Sequence, residues 1–366
     1  MLAGGSPPGN PVGRDRSALE SRGPLSLDPI GQRLVNQQLV DGRLSRPADL
    51  VRWMGAVQAQ DYRGSLWAVG LRLEGATEAE VEKAIAARAI VRTWPMRGTL
   101  HFVPADDVRW MLRWLTPRVV ARSAGRYREL GLDSASFSRS ARVVNRALEG
   151  RALTRPELFA ELRRGGVSTE GQRGIHIAGH LAQQGLICHG PRRERQPTFV
   201  LLDDWVPARK EPSRERALAM LAKRYFASHA PATVHDFAWW SGLLMKDAQE
   251  AARAAGSARA MERRVARRLG PAALLLPPWD EYIVAYKDRD AVVGHLGKRG
   301  QDRLRVLGSS PIVIDGLVRG SWKRQIGTSS VRIATEYWTG VTAAERRAVR
   351  DAALRYARFL GLDLDA

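Results

Sequence analysis

Apolar side chains recur along this chain at two spacings, and the alternation between them outlines an architecture. Around Pro47–Val57, the residues Leu50, Val51, Met54 and Val57 fall at helical spacing and predict an amphipathic helix. A second short helix is expected over Ser65–Leu71. Thr77, with Glu80 three residues on, has the form of a capping box and opens a third helix, Glu78–Arg88, with Val81, Ala84 and Ile85 inward. The period then shortens. Ile90–Pro95 and Thr99–Pro104 flank Met96-Arg97-Gly98 and predict a β-hairpin. Three helices followed by a hairpin is the order of a winged helix.

The order returns. Ser140–Leu148 predicts a helix, Thr154 with Glu157 caps Pro156–Arg163, and Gly174–Gln184 supplies a third. Leu186–His189 and Thr198–Leu202 then flank a basic loop with Arg192, Arg193 and Arg195, the composition of a phosphate-gripping wing. A single helix over Met111–Leu130 is expected to join the two units. A fainter third copy comprises Arg214–Ser228, a helix capped by Thr233 and Met245–Ala255. No sharp sequence repeat accompanies it, so the repetition is of architecture alone.

Beyond this the character changes. Ala272–Leu276 is an apolar run. Pro311–Ile314 and Leu317–Trp322 surround Asp315-Gly316, a strong two-residue hairpin signal, and Val331–Trp338 is a further strand. Thr342 with Glu345 caps a terminal amphipathic helix, Thr342–Phe359. The expected fold is α+β: three tandem winged-helix (helix-turn-helix) units and a small C-terminal β-barrel-like element closed by a helix. The expected boundaries are 1–29 for a Gly/Pro/Ser-rich disordered tail, 30–130, 131–212 and 213–271 for the three units, and 272–366 for the last element. The tail's short Leu2-Ala3 run and misplaced Arg14 and Arg16 do not make a signal peptide.

Charge narrows the partner. The 366 residues carry 58 Lys+Arg against 38 Asp+Glu, a net charge of +20, which attracts polyanions and points to nucleic acid. No basic amphipathic anchor or apolar stretch of membrane-spanning length competes with that reading. The basic residues are overwhelmingly arginine, which suits bidentate phosphate and guanine contacts, although a G+C-rich coding sequence produces the same bias. One cysteine, Cys188, excludes an internal disulfide framework and fits the reducing cytosol.

Several constellations suggest chemistry and fall short of it. His176 and His180 share a helix face near Cys188 and His189, but Ile-Ala-Gly stands between the histidines where a metalloprotease has its glutamate, so they are expected on a solvated or DNA-facing surface. The stripe Met261, Val265 and Leu269 within Arg259–Leu269 would leave its arginines on a solvated face or against phosphate. Asp280-Glu281 would point to opposite sides of a strand, and Asp288 and Asp290 have Arg289 between them, which is poor geometry for a metal nuclease. No phosphate-binding loop, nucleophile elbow or Cys/His pair of catalytic type is present. There remains Gln58-Ala59-Gln60-Asp61-Tyr62-Arg63-Gly64. In a helix the two glutamines would diverge; in an extended segment both would face one side.

Gln58-Ala59-Gln60, Trp94-Pro95-Met96-Arg97-Gly98-Thr99-Leu100-His101, Pro278-Trp279-Asp280-Glu281-Tyr282 and Tyr286-Lys287-Asp288-Arg289 occur in this order. Together they resemble the bacterial winged-helix DNA glycosylase family typified by AlkZ, over about residues 30–360. The resemblance implies three winged helices and a barrel-like element forming a concave DNA-binding body. It also implies a Gln-aliphatic-Gln catalytic motif falling on Gln58 and Gln60; the sister branch typified by YcaQ has Asp at the second position. Members of the AlkZ-like branch include self-resistance enzymes of producers of DNA-alkylating antibiotics.

Glutamine suits such a reaction. An N7-alkylated purine is already cationic and leaves as a neutral base, so the enzyme has only to stabilise an oxocarbenium-like sugar and place a water. A glutamine carbonyl oxygen can accept from that water while its amide donor holds a phosphate or fixes the side chain. The expected function is therefore a monofunctional glycosylase for N7- or N3-alkylated purines, including bulky adducts and crosslinks, with no metal or organic cofactor. Its partner is double-stranded DNA, and it is expected as a cytoplasmic, nucleoid-associated monomer. Arg63, Arg97, His101, Arg192, Arg193, Lys287 and Arg289 are the candidate DNA contacts, with Arg319, Lys323 and Arg324 beside the Asp315-Gly316 hairpin. The alternative is a non-enzymatic winged-helix DNA-binding protein such as a transcriptional regulator.

Overall fold

The computed structural model describes residues 29–194, 196–256, 272–305 and 310–365. The tail through residue 28, Arg195 and the Arg259–Leu269 stripe lie outside the described residues. The first segment runs α1 (Pro29–Asn36), α2 (Pro47–Met54), β1 (Val57–Gln58), α3 (Tyr62–Gly70), α4 (Glu78–Ala86) and the hairpin β2 (Ile90–Met96) and β3 (Thr99–Pro104). The helix expected to reach Val57 stops at Met54. Gly55 adopts φ 81° there and donates to the Arg52 carbonyl, and the freed residues extend into β1. The capping box of α4 forms as its sequence requires, with Thr77 accepting from the Glu80 backbone and Glu80 answering.

The expected connecting helix over 111–130 is three short ones: α5 (Val108–Leu115), α6 (Pro117–Arg122) and α7 (Ala124–Glu129). Pro117 cannot donate to the ladder of α5 and instead occupies the first turn of α6. The second segment follows as α8 (Ser134–Leu148), β4 (Leu153–Thr154), α9 (Arg155–Arg164), α10 (Arg173–Gln183), β5 (Ile187–Arg193) and β6 (Gln196–Leu201). Its order of helix, strand, two helices and hairpin repeats that of α2 to β3. Arg192 and Arg193, expected in a loop, belong to β5.

A short α11 (Leu202–Trp205) leads to α12 (Arg214–His229), α13 (Val234–Ser241) and α14 (Met245–Ala254). The final segment comprises β7 (Ala273–Leu275), α15 (Glu281–Val284), α16 (Asp290–Val293), α17 (Gly297–Arg305), β8 (Pro311–Ile314), β9 (Leu317–Ile326), β10 (Ser330–Tyr337), α18 (Ala343–Leu360) and β11 (Asp363–Leu364). Asp280 and Glu281 are not strand residues: Asp280 caps α15, accepting from the Tyr282 N–H, and Glu281 opens it.

Two sheets organise these elements. The first has the order β1-β3-β2-β5-β6-β4, so the two hairpins expected in separate units are joined edge to edge, at the single register pair Arg92–His189. The second, β11-β10-β9-β8-β7, forms a curled half-barrel. Val349, Ala353, Tyr356 and Ala357 repeat at helical spacing on α18 and supply its buried stripe. That helix shares one core with α2 and α3. Trp67 lies 5.0 Å from the Tyr356 ring and 5.1 Å from Phe359, and its indole N–H donates to the Leu275 carbonyl at 2.7 Å. The last sheet is thereby packed directly behind the segment carrying the two glutamines. Among the described residues no helix is long and apolar enough to cross a membrane.

Candidate active site

β1 ends at Gln58, which pairs with His101; the Ala59 N–H then donates to the Leu100 carbonyl at 2.7 Å, and the chain bends at Gln60. The side chain of Gln60 bends back so that its Oε1 accepts from the Leu100 N–H at 2.9 Å. The Ala59 carbonyl receives both arms of Arg92, at 3.0 Å from Nε and 2.8 Å from Nη2. Burial pushes this guanidinium down to about 10, and it also lies over the Tyr62 ring. Both main-chain groups of the small central residue are therefore held, and Ala59 itself has no exposed surface. A larger aliphatic residue is not needed to seat the motif.

Arg97 comes to Gln58 from the β2–β3 turn. The turn is made by Arg97 at φ 56° and Gly98 at φ 77°, the left-handed pair of a two-residue hairpin. Asparagine or glycine ordinarily takes the first position, and arginine there costs about 1 kcal/mol. Its side chain explains the choice: Nη2 lies 3.1 Å from Gln58 Oε1 and 3.2 Å from His101 Nε2. Gly242, at φ 75° just past α13, permits the approach, because a Cβ there would sit 3.2 Å from Arg97 Cγ.

The donors also fix the amide orientations. Arg97 and the Leu100 N–H can only donate, so the atoms facing them are the oxygens of Gln58 and Gln60. The expected division of labour is partly reversed: the carbonyl oxygens do the fixing, and the amide nitrogen of Gln60, an exposed residue, is turned away from β3. His101 is fully buried. Its Nδ1–H donates to the Thr99 carbonyl at 3.0 Å, which leaves Nε2 as the acceptor facing Arg97. Burial, with Arg97 adding to it, pushes this imidazole down to about 3. The expectation that His101 touches DNA is corrected: a side chain without exposed surface serves here as a neutral prop for Arg97.

Behind the motif lies Glu281, also fully buried. Its Oε1 accepts from the Gln58 backbone N–H at 2.7 Å, and its Oε2 accepts from the Trp240 indole at 2.9 Å. The His229 Nε2 stands 3.9 Å from the same Oε2. Burial raises the carboxyl to about 7 against the opposing pull of Arg97. The residue before it, Asp280, forms a two-armed ion pair with Arg72 in which neither side chain is exposed.

The other candidate contacts are more dispersed. Arg63 lies 3.5 Å from Glu78, while Arg192 reaches Glu78 at 3.3 Å and Glu82 at 3.1 Å, so both are tied into an acidic cluster on α4. Arg193 pairs with Glu157. Arg319 bonds Thr339 Oγ1 at 2.6 Å and lies 3.4 Å from Glu345. Arg324 crosses from β9 to Asp61 at 2.7 Å, next to Gln60, and so braces the motif from the far side. Arg289 donates from Nε to the Tyr286 carbonyl at 3.4 Å. Lys287 and Lys323 are exposed and make no ion pair among the described residues.

Two further imidazoles meet aromatic rings. His180 stacks on Phe137 at 3.7 Å between ring centres, and the part-exposed His176 meets Tyr127 edge-on. Cys188 has no exposed surface, and burial pushes its thiol up. Among the described residues no group of three His, Cys, Asp or Glu could hold a metal ion. Sequence reasoning missed Arg92, Trp240 and the place of Glu281. Arg92 alone carried a local signal, as a charged residue at an otherwise apolar strand position.

Comparison with known proteins gives the chain's family and fold. The Streptomyces sahachiroi protein named interstrand DNA cross-link repair glycosylase is 28% identical over 227 residues, 57% of this chain and 58% of that relative. The matched segment is thus less than two thirds of the relative's length. The solved structure of Streptomyces sahachiroi DNA glycosylase AlkZ shares the fold, with a TM-score of 0.69 at 23% identity over 92% of this chain and 97% of that one. A family model described as DNA glycosylase AlkZ-like matches residues 51–359, which include both glutamines, the β2–β3 hairpin and Glu281, and the chain belongs to that AlkZ-like family.

Proposed function

We propose that this chain is a monofunctional DNA glycosylase that hydrolyses the N-glycosidic bond of N7- or N3-alkylated purines in duplex DNA, with bulky adducts and interstrand crosslinks among its substrates. The observation that carries the reading is the pair of glutamines held at Ala59 by Arg92 and oriented by Arg97 and Leu100. A segment anchored at so many points is preorganised, which is what stabilising a short-lived cation requires. The name of the Streptomyces sahachiroi relative supports the crosslink class.

In the reaction the C1′–N9 bond breaks and its electron pair stays with the cationic purine, which departs neutral. A water oxygen bonds to C1′ and its proton passes to solvent. Gln58 Oε1 spends one lone pair on Arg97 and keeps a second for that water. The amide of Gln60 is available to a phosphate. Gln58, Gln60, Arg97, His101 and Glu281 include no amine nucleophile, so water rather than a Schiff-base lysine attacks.

Three winged-helix units, α2 to β3, α8 to β6 and α12 to α14, hold the duplex, and the net charge of +20 supplies a sequence-independent grip. The working form is a cytoplasmic, nucleoid-associated monomer. The test is abasic-site formation in duplexes bearing N7-methylguanine or a purine crosslink, with wild type beside the Gln58→Ala/Gln60→Ala double variant. Excision by wild type alone is expected. Excision undiminished in the double variant removes the glutamines from the mechanism, and sequence-specific binding without excision makes the chain a regulator.

A further inference from the structure

Gln58 is held from two directions by groups that belong to distant parts of the chain, and they converge on one carboxylate. Glu281 accepts the backbone N–H of Gln58 at 2.7 Å. It accepts the indole N–H of Trp240 at 2.9 Å, and two residues after Trp240 the chain turns at Gly242, the surface against which Arg97 rests. Arg97 in turn donates to the amide oxygen of Gln58. The motif's main chain and the helix end that backs the guanidinium therefore meet at a single buried anion, which also feels the charge of Arg97.

Resting on the glycosylase reading above, we infer that Glu281 is the positioning residue of this centre: its carboxylate fixes the Gln58 backbone and holds the cationic Arg97 against the Gln58 amide oxygen. Ionised, Glu281 draws on two N–H donors and on the charge of Arg97. Protonated, Glu281 keeps one acceptor oxygen and gains a donor that faces the Trp240 indole and the His229 Nε2, and the attraction for Arg97 is lost. The Gln58 N–H keeps an acceptor, but Arg97 is no longer drawn against the Gln58 amide oxygen, so catalysis depends on ionised Glu281 acting through Arg97 and Gln58.

The neighbours leave this titration isolated. From the β2–β3 turn the facing group is Arg97. From α12 they are Tyr225 and His229, the former pushed well up and the latter down to about 3 by burial. From the chain around α15 they are Asp280, held in its ion pair with Arg72, and Tyr286, pushed up by burial. α13 contributes the indole of Trp240, which does not titrate. Glu281, at about 7, is thus the member of this group that changes charge near neutrality.

The test is single-turnover excision of N7-methylguanine from a duplex at saturating enzyme, between pH 5.5 and 8.5, alongside affinity for undamaged duplex. The wild-type rate is expected to rise about 30-fold over that range through one ionisation near neutrality. Glu281→Gln keeps the volume and an acceptor for Gln58 but carries no charge. It is expected to lose about 10-fold or more in rate at the alkaline end, to show no ionisation near neutrality and to bind undamaged duplex within about two-fold of wild type. A purely structural role would lower melting temperature without erasing the pH dependence. A flat wild-type profile, or a folded Glu281→Gln with the wild-type profile, overturns the inference. Should Glu281→Gln fail to fold, Trp240→Phe removes one donor to the carboxylate and is expected to move the midpoint upward; an unmoved midpoint overturns it equally. If wild type binds duplex but excises no N7-methylguanine at any pH, the glycosylase reading fails instead, and that outcome is distinct from a flat profile of measurable excision.

Discussion

Arg72 and Asp280 meet through both arms of the guanidinium, each at 2.8 Å, in a place where neither side chain has exposed surface. The pair ties the end of α3 to the cap of α15 and so sets where Glu281 stands. Arg72 also donates to the Ala68 carbonyl and to Gln37 Oε1, so both of its Nη atoms are engaged, while its Nε has no partner among the described residues. Removing one partner of a buried pair leaves the other uncompensated and costs about 3–5 kcal/mol. Asp280→Ala and Arg72→Ala are each expected to lose that much in urea denaturation. Arg72→Met with Asp280→Leu is expected to recover most of the loss; a double variant as unstable as either single one would show that the pair matters for its shape rather than its charge.

Gln60→Ala should separate chemistry from stability. Among the described residues its side chain makes one bond, to the Leu100 N–H, and the residue is exposed, so the loss of stability is expected to be about 1 kcal/mol or less. The excision rate on N7-methylguanine DNA is expected to fall about 100-fold, the usual cost of a lost preorganised dipole. Parallel melting and single-turnover curves check both halves.

Stability is expected to fall on the acid side of neutrality. Burial holds His101 and His229 down to about 3, below the ordinary imidazole value of 6.5. The folded state binds fewer protons than the unfolded one, so this contribution is complete above pH 6.5 and is lost as pH falls toward 3. Glu281 has the opposite sign: raised from 4.5 to about 7, it contributes below 4.5 and loses that contribution as pH rises through 7. At roughly 1.4 kcal/mol per pH unit for each group, two histidines outweigh one glutamate. His189, pushed well below 6.5 by burial, adds to them. Melting temperature should drop steadily from pH 7 to pH 4, and His229→Gln should flatten part of that slope.

The basic side chains are expected to divide into two classes. Lys287→Ala and Lys323→Ala, at exposed positions without ion pairs among the described residues, should each reduce the slope of log affinity for duplex against log salt by about 1 if they meet phosphates. Arg192→Ala leaves Glu78 and Glu82 facing each other and should lower melting temperature, with little change in that slope. Salt titrations of undamaged duplex binding distinguish the classes.

What the sequence made legible was local. Thr77 with Glu80, Thr154 with Glu157 and Thr342 with Glu345 all form their reciprocal caps, since each box is complete within four residues. Arg97-Gly98 and Asp315-Gly316 both turn their hairpins through left-handed backbone, the requirement that made them recognisable. Apolar periodicity was less secure: across residues 111–130 it ran on through Pro117, where the missing N–H divides the helix. The two glutamines could be singled out through the family's ordered motifs, but not their support. Gln58 and Glu281 are 223 residues apart, and Arg72 and Asp280 are 208 apart. A carboxylate dismissed as one half of a poor metal site gave no local sign that folding would place it behind the motif.

Arg92 has a double position. It forms the register pair with His189 at which the two hairpins meet, and its guanidinium grips the carbonyl between Gln58 and Gln60. A twist of the second hairpin therefore reaches the glutamines through one side chain, with no loop between to absorb it. Mechanically the seam is a lever whose short arm ends at Ala59. A rigid duplex that pressed the outer hairpin aside would shift the motif as it docked, so correct seating of the DNA and correct aim of the glutamines become one adjustment.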